Sequence, residues 1–206
     1  MTTHGIVLLA AGASTRMGSP KQLLPYAGQP LIRHAAEQAL AAGTKGVVVV
    51  LGANAGHIRP ALDGLAVTIA ENPRWEEGMG TSIQTGVRAA EALGWDGLIL
   101  TLADLPRVGA DIYHELAERH AQTQQPIVTA AYAGTVGVPV YFTREFFPRL
   151  LALAPSQGCK GVILAHDSRA CKLPCPAAEF DLDTPADYAA VSENAGPESG
   201  ISLNRT

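Results

Sequence analysis

Between Leu8 and Pro25 the chain reads LLAAGASTRMGSPKQLLP, a run of small residues followed by two cations and placed directly after an apolar segment. Ala10, Ala11, Gly12, Ala13 and Ser14 let backbone N–H groups approach an anion closely, and Arg16 and Lys21 add positive charge to the same loop. This is the composition of a phosphate cradle at a strand-to-loop junction, where α/β proteins bind nucleotides. It contains neither the GxxxxGK[ST] of a hydrolytic phosphate loop nor the GxGxxG of a dinucleotide turn, so both of those chemistries recede. Acids complete the inventory. Asp104 follows the apolar run Gly97–Leu102, which places its carboxylate at the lip of a sheet; an aspartate there either meets a metal ion or caps the turn that follows. Asp181 and Asp183 alternate, and share one face if their segment is extended.

These segments resemble the MobA-like nucleotidyltransferases, most of all the branch that includes molybdenum cofactor cytidylyltransferase. The first loop meets every fixed position of L-A-A-G-x-S-x-R-M-G-x-x-K-x-L-L-P; Leu102–Pro106 is similar to the family's D-M-P or D-Q-P segment, and Phe180–Tyr188 to its closing D-x-D-T-P-x-D-Y. The resemblance implies transfer of a nucleotidyl group from an NTP to an acceptor phosphate with release of pyrophosphate. In that reading Arg16 contacts the β and γ phosphates, and Lys21 stabilises the α-phosphate as charge builds. Asp104 holds Mg2+ with Asp181 as second ligand and Asp183 in reserve, since magnesium takes one or two carboxylates and fills its other sites with phosphate oxygen and water.

Leu9, Ala10, Ala11 and Gly12 form a tight slot suited to a pyrimidine, and Ser14 belongs to the same loop. Among molybdenum cofactor transferases L-A-A-G accompanies cytosine and L-A-G-G guanine, so the resemblance implies CTP, although other pyrimidine nucleotidyltransferases share L-A-A-G. Asn72-Pro73-x-Trp75-x-x-Gly78-Met79-x-x-Ser82 is also similar to the cytidylyltransferase branch, where the glycine turn and the serine help hold base and ribose; Gly80, within the same segment, joins the expected nucleotide-binding residues. On the acceptor side Gly137 and Pro139 align with G-H-P, with Val138 in place of the histidine, and Lys160 aligns with the lysine of G-D-K-G, with Cys159 in place of the acid. The implied acceptor is molybdenum-bearing molybdopterin, with a client molybdenum enzyme as possible partner. A pyrimidine transferase acting on a sugar or polyol phosphate, and a non-catalytic nucleotide-binding accessory protein, stand as alternatives.

The elements that must position these residues follow from hydrophobic periodicity. Gly5–Ala11, Val47–Leu51 and Gly97–Leu102 are continuous apolar runs, as expected of strands buried on both faces of a parallel sheet. Further strands are expected at 66–70, 126–131 and 138–142, with short ones near Cys171 and Glu179. Helices are expected over 30–42, 82–93, 111–122, 143–154 and 158–165, with a last one opened by Thr184 as N-cap and Pro185. Thr81 and Gln84 have the spacing of a capping box. The 126–142 pair is too closely spaced for a helical crossover, which predicts an antiparallel or edge excursion. Right-handed crossovers turn this order into a three-layer α/β/α Rossmann-like fold with a mostly parallel sheet, its loops gathered at the carboxyl edge of the strands. One nucleotidyltransferase domain over 1–191 is expected, with 192–206 a mobile tail.

Composition narrows the class. Over 206 residues, 47% apolar and 17% charged residues describe a globular chain, with no apolar run approaching the roughly 20 residues of a membrane helix. A net charge of −4 argues against a nucleic-acid-coating surface. Cys159, Cys171 and Cys175 have no CxxC spacing, and the six histidines show no metal-ligand pattern. The start Met1-Thr2-Thr3-His4 has no basic region ahead of an apolar stretch, which predicts a cytoplasmic protein.

Overall fold

Apolar runs with no polar face can settle only between two layers, and the chain alternates them with amphipathic helices that supply those layers. A computed structural model describes residues 3–14, 18–182 and 187–188. In chain order its first half contains β1 (His4–Ala10), β2 (Pro25–Tyr26), β3 (Gln29–Pro30), α1 (Leu31–Ala41), β4 (Val47–Leu51), α2 (Ala55–Ile58), β5 (Thr68–Glu71) and α3 (Met79–Ala92). The second half adds β6 (Gly97–Leu102), α4 (Ala110–Thr123), β7 (Ile127–Tyr132), β8 (Thr135–Thr143), α5 (Phe147–Leu151), α6 (Lys160–Ala165) and β9 (Ala170–Pro174).

Seven strands form one sheet in the order β5-β4-β1-β6-β8-β7-β9, while β2 and β3 make a separate two-stranded ribbon. β1 lies between β4 and β6 and runs parallel to both. Alternation along β1 divides the core into two layers. Ile6, Leu8 and Ala10 pack with Ile32, Ala36 and Ala39 of α1 and with Tyr113 and Leu116 of α4. Val7 and Leu9 pack with Ile83, Val87 and Ala90 of α3, and with Phe147, Leu150 and Ile163 beyond it. The expected three-layer α/β/α fold with a mostly parallel sheet is therefore present, and the loops after β1, β4 and β6 emerge at one edge. No described helix is long and apolar enough to cross a membrane.

Several elements differ from expectation. β8 pairs antiparallel with β7, as expected, but also with β6, so the reversed strand lies inside the sheet and β9 occupies the edge. The capping box at Thr81 and Gln84 does not form: α3 begins earlier, at Met79, and Gln84 Nε2 donates instead to Leu153 O at 2.8 Å. The 143–154 helix splits into a 3-10 turn (Arg144–Phe146) and α5, with Pro148 in the first turn of the latter. Glu179 ends a 3-10 turn rather than lying in a strand. Thr184, Pro185 and the segment 192–206 lie outside the described residues.

Candidate active site

The cradle is held in shape by a residue the motif leaves open. Gln22, on a 3-10 turn (Lys21–Leu23), is only 3% exposed, and its Nε2 donates to Ala10 O (3.1 Å) and Gly12 O (2.8 Å). Ser14 Oγ donates to Gln22 Oε1 at 3.2 Å and accepts from Lys21 N at 3.0 Å. These bonds fasten the two halves of the loop together and occupy carbonyls that would otherwise compete for the cavity. Sequence reasoning missed Gln22; the available signal was a long amide set between Lys21 and the apolar pair Leu23–Leu24. The loop after β4 braces the same segment, since Ala53 N donates to Ala11 O at 3.0 Å. Gly52 sits at the contact: a Cβ there would come within 2.6 Å of Trp75 Cβ and 2.8 Å of Ala11 Cβ.

Asp104 is positioned by β6 and stitched to the cradle strand, with Ala103 N donating to Leu9 O at 3.0 Å. Its Oδ2 accepts from Lys21 Nζ at 2.5 Å, the two side chains being 17% and 15% exposed. Its buried Oδ1 has no hydrogen-bond partner among the described residues. Leu182 N donates to Asp104 O at 3.0 Å, which brings Asp181 to the same cavity. Leu182 is itself buried against Leu31, with Phe180 and Tyr188 alongside; Tyr188 Oη donates to Pro25 O at 2.7 Å, and the Arg107 guanidinium lies 4.2 Å from the centre of the Phe180 ring.

The opposite wall is the turn into α3. Buried Asn72 donates to Thr81 Oγ1 (2.8 Å) and Ser82 Oγ (3.0 Å) and accepts from Arg74 N (3.0 Å). Gly78 adopts φ +125°, and a Cβ on it would meet Pro155 O at 2.7 Å, so this turn requires glycine twice over. Gly80 N donates to Pro155 O at 2.8 Å.

Among the residues expected from sequence, Leu9, Ala10, Ala11, Gly12, Lys21, Gly78, Met79, Ser82, Asp104 and Asp181 line one cavity of about 460 Å3. Trp75, Glu76, Leu31 and Gln22 line it too. Ser14, Asn72 and Gly80 support its walls from behind. Gly137 and Pro139 are buried in β8, and Lys160 opens onto a separate depression with Tyr132, Thr135 and Lys172, so the structure does not gather the expected acceptor residues at this cavity. Arg16 and Asp183 lie outside the described residues.

The arrangement can hold a nucleoside triphosphate and a divalent ion. No group of three or more His, Cys, Asp or Glu suited to a metal occurs among the described residues. Magnesium needs no such group when phosphate oxygens complete its shell, and the orphaned Asp104 Oδ1 with Asp181 nearby fits that donor set. Cysteine chemistry fits less well: burial pushes the Cys159 thiol up to about 12, which keeps it protonated near neutral pH. Behind the Asp104 loop, His34 packs edge-on against Tyr26 with centroids 4.7 Å apart. Burial lowers its pKa, opposed by the Pro106 carbonyl and the charge of Glu37.

Residues 6–170 match the model of the MobA-like NTP transferase domain. The chain is 29% identical over 203 residues to the purine catabolism protein PucB of Bacillus subtilis, spanning 88% of this chain and 92% of that protein. It is 38% identical over 128 residues to nicotine blue oxidoreductase of Paenarthrobacter nicotinovorans, spanning 62% of this chain and 61% of that one. Its fold superimposes on the crystal structure of Rv0371c from Mycobacterium tuberculosis with a TM-score of 0.78 at 29% identity, covering 93% of this chain and 98% of the other. Rv0371c has also been solved in complex with manganese, a structure that matches with a TM-score of 0.71 at 29% identity over 94% of this chain and 99% of the other.

Proposed function

We propose a specific transfer for this chain, which belongs to the MobA-like NTP transferase family: CMP passes from CTP to the phosphate of molybdenum-bearing molybdopterin, and pyrophosphate leaves. The observation that carries the reading is the convergence of the Leu9–Gly12 cradle, Lys21, Asp104 and Asp181 on one cavity at the carboxyl edge of the sheet. A phosphate oxygen of the acceptor attacks the α-phosphorus of CTP. The new P–O bond forms as the bond from the α-phosphorus to the bridging oxygen breaks, and that oxygen leaves with the electron pair as part of pyrophosphate.

The cradle N–H groups bind the triphosphate, and Lys21 donates to the α-phosphate oxygens where negative charge accumulates. Asp104 and Asp181 would hold Mg2+, which would supply positive charge to offset that of the triphosphate. Gln22 keeps the cradle carbonyls turned away from the anion. The small side chains of Ala10 and Ala11, with Trp75 braced against Gly52, support a pyrimidine in the base slot, and Ser82 is available to the base or ribose. Arg16 is assigned to the β and γ phosphates by the loop motif alone. The test is transfer of α-phosphorus-labelled CMP: incubation of the chain with Mg2+, labelled CTP and molybdenum-bearing molybdopterin places label on the pterin. Label found on a sugar or polyol phosphate and not on the pterin would move the acceptor to that class.

A further inference from the structure

The ion pair in the cavity bears on how the metal enters. We infer that Lys21 occupies the metal's place on Asp104 until a triphosphate draws the ammonium away, so that divalent cation and nucleotide bind weakly alone and strongly together. This rests on the reading of Asp104 as a metal ligand. Lys21 Nζ stands 2.5 Å from Asp104 Oδ2, on a carboxylate oxygen of the kind a divalent cation would take as ligand. A dication on the same carboxylate would stand beside the ammonium in a site where both side chains are largely shielded from water, and screening there is weak. Metal without nucleotide therefore meets a like charge already seated.

A triphosphate changes the balance because it brings anionic oxygens to the cradle from which Lys21 projects. The backbone at Lys21 is fixed, its N–H bonded to Ser14 Oγ at 3.0 Å and its neighbour Gln22 bonded to Ala10 O and Gly12 O. The exchange is therefore a rotation of a flexible lysine stem on a backbone held in place. Once the ammonium turns to phosphate, Asp104 presents Oδ2 together with Oδ1, whose acceptor capacity is unused among the described residues. The coupling is reciprocal: metal raises nucleotide affinity by the same factor by which nucleotide raises metal affinity.

Titration of the full chain with Mn2+ alone, counting free ion by electron paramagnetic resonance, tests this for wild type, Lys21→Met, Lys21→Gln and Asp104→Asn. Each is repeated with α,β-methylene CTP, and circular dichroism checks the fold. Both Lys21 variants should bind Mn2+ without nucleotide at least about tenfold more tightly than wild type, within the usual range of coupling between sites. The nucleotide-induced gain seen in wild type should shrink in them accordingly. Equal Mn2+ affinity of wild type and a folded Lys21 variant, without nucleotide, would overturn the inference while leaving Asp104 as ligand. Unchanged Mn2+ binding by Asp104→Asn, with and without nucleotide, would instead remove Asp104 from the metal site.

Discussion

Lys21 Nζ lies 2.5 Å from Asp104 Oδ2, so the cation that closes the cradle after β1 and the acid that follows β6 face each other in one cavity. The two residues are far apart in sequence, and the parallel pairing of β1 with β6 delivers both to the same edge.

Asp104→Asn keeps the shape of the side chain and removes its charge. Metal stabilisation of phosphoryl charge is worth several kcal/mol, at about 1.4 kcal/mol per tenfold in rate, so metal-dependent turnover should fall at least about a hundredfold. The far-ultraviolet circular dichroism should be unchanged. Turnover within twofold of wild type would take Asp104 out of the chemistry.

Gln22→Met removes both donors while roughly keeping volume. The carbonyls of Ala10 and Gly12 lose their partner, and the cradle loses its fixed geometry. The KM for nucleotide should rise about tenfold, corresponding to roughly 1.4 kcal/mol. Gln22→Glu should be worse, since it sets a carboxylate against two carbonyl oxygens. Steady-state kinetics of both variants check this; a KM indistinguishable from wild type in both would show that the amide does not position the cradle.

Gly52→Ala places a methyl 2.6 Å from Trp75 Cβ and 2.8 Å from Ala11 Cβ, contacts that must be relieved by moving one wall of the cavity. Overpacking of this kind costs about 1–3 kcal/mol. Thermal unfolding should report the loss and calorimetry with CTP a weaker affinity; an unshifted midpoint with unchanged affinity would mean the wall yields freely.

His34 makes stability depend on pH. Burial holds its folded pKa below the ordinary 6.5, so the unfolded chain takes up the proton first. The stability this site contributes is complete above the unfolded value and is lost as pH falls through it toward the lowered folded value. Thermal midpoints of wild type and His34→Gln between about pH 8 and pH 5 should therefore converge as pH falls. Parallel profiles would show that His34 does not titrate with unfolding.

Much of this was legible in the sequence where a local rule operates. Val47–Leu51 carries no polar residue and Gly97–Leu102 only Thr101, and both form largely buried strands with the expected bounds. The cradle and Asp104 were readable because strand ends in a parallel sheet share an edge. What escaped depends on contacts distant along the chain. Gly78-Met79-Gly80 reads as a turn, yet α3 begins there because Pro155 O accepts from Gly80 N. The closely spaced β7 and β8 imply antiparallel pairing but not that β8 inserts beside β6. Gln22 carries no requirement of residue type until its three hydrogen bonds are seen, and the bond from Leu182 N to Asp104 O that gathers the two acids has no local signature.

The most direct test is pyrophosphate release by the full chain with Mg2+ and molybdenum-bearing molybdopterin, run across the four NTPs and repeated with Asp104→Asn. Release that depends on the pterin, is fastest with CTP and is lost in the variant is the predicted result. No pyrophosphate from any NTP, while nucleotide still raises the thermal midpoint, would contradict the account and leave a nucleotide-binding protein without turnover.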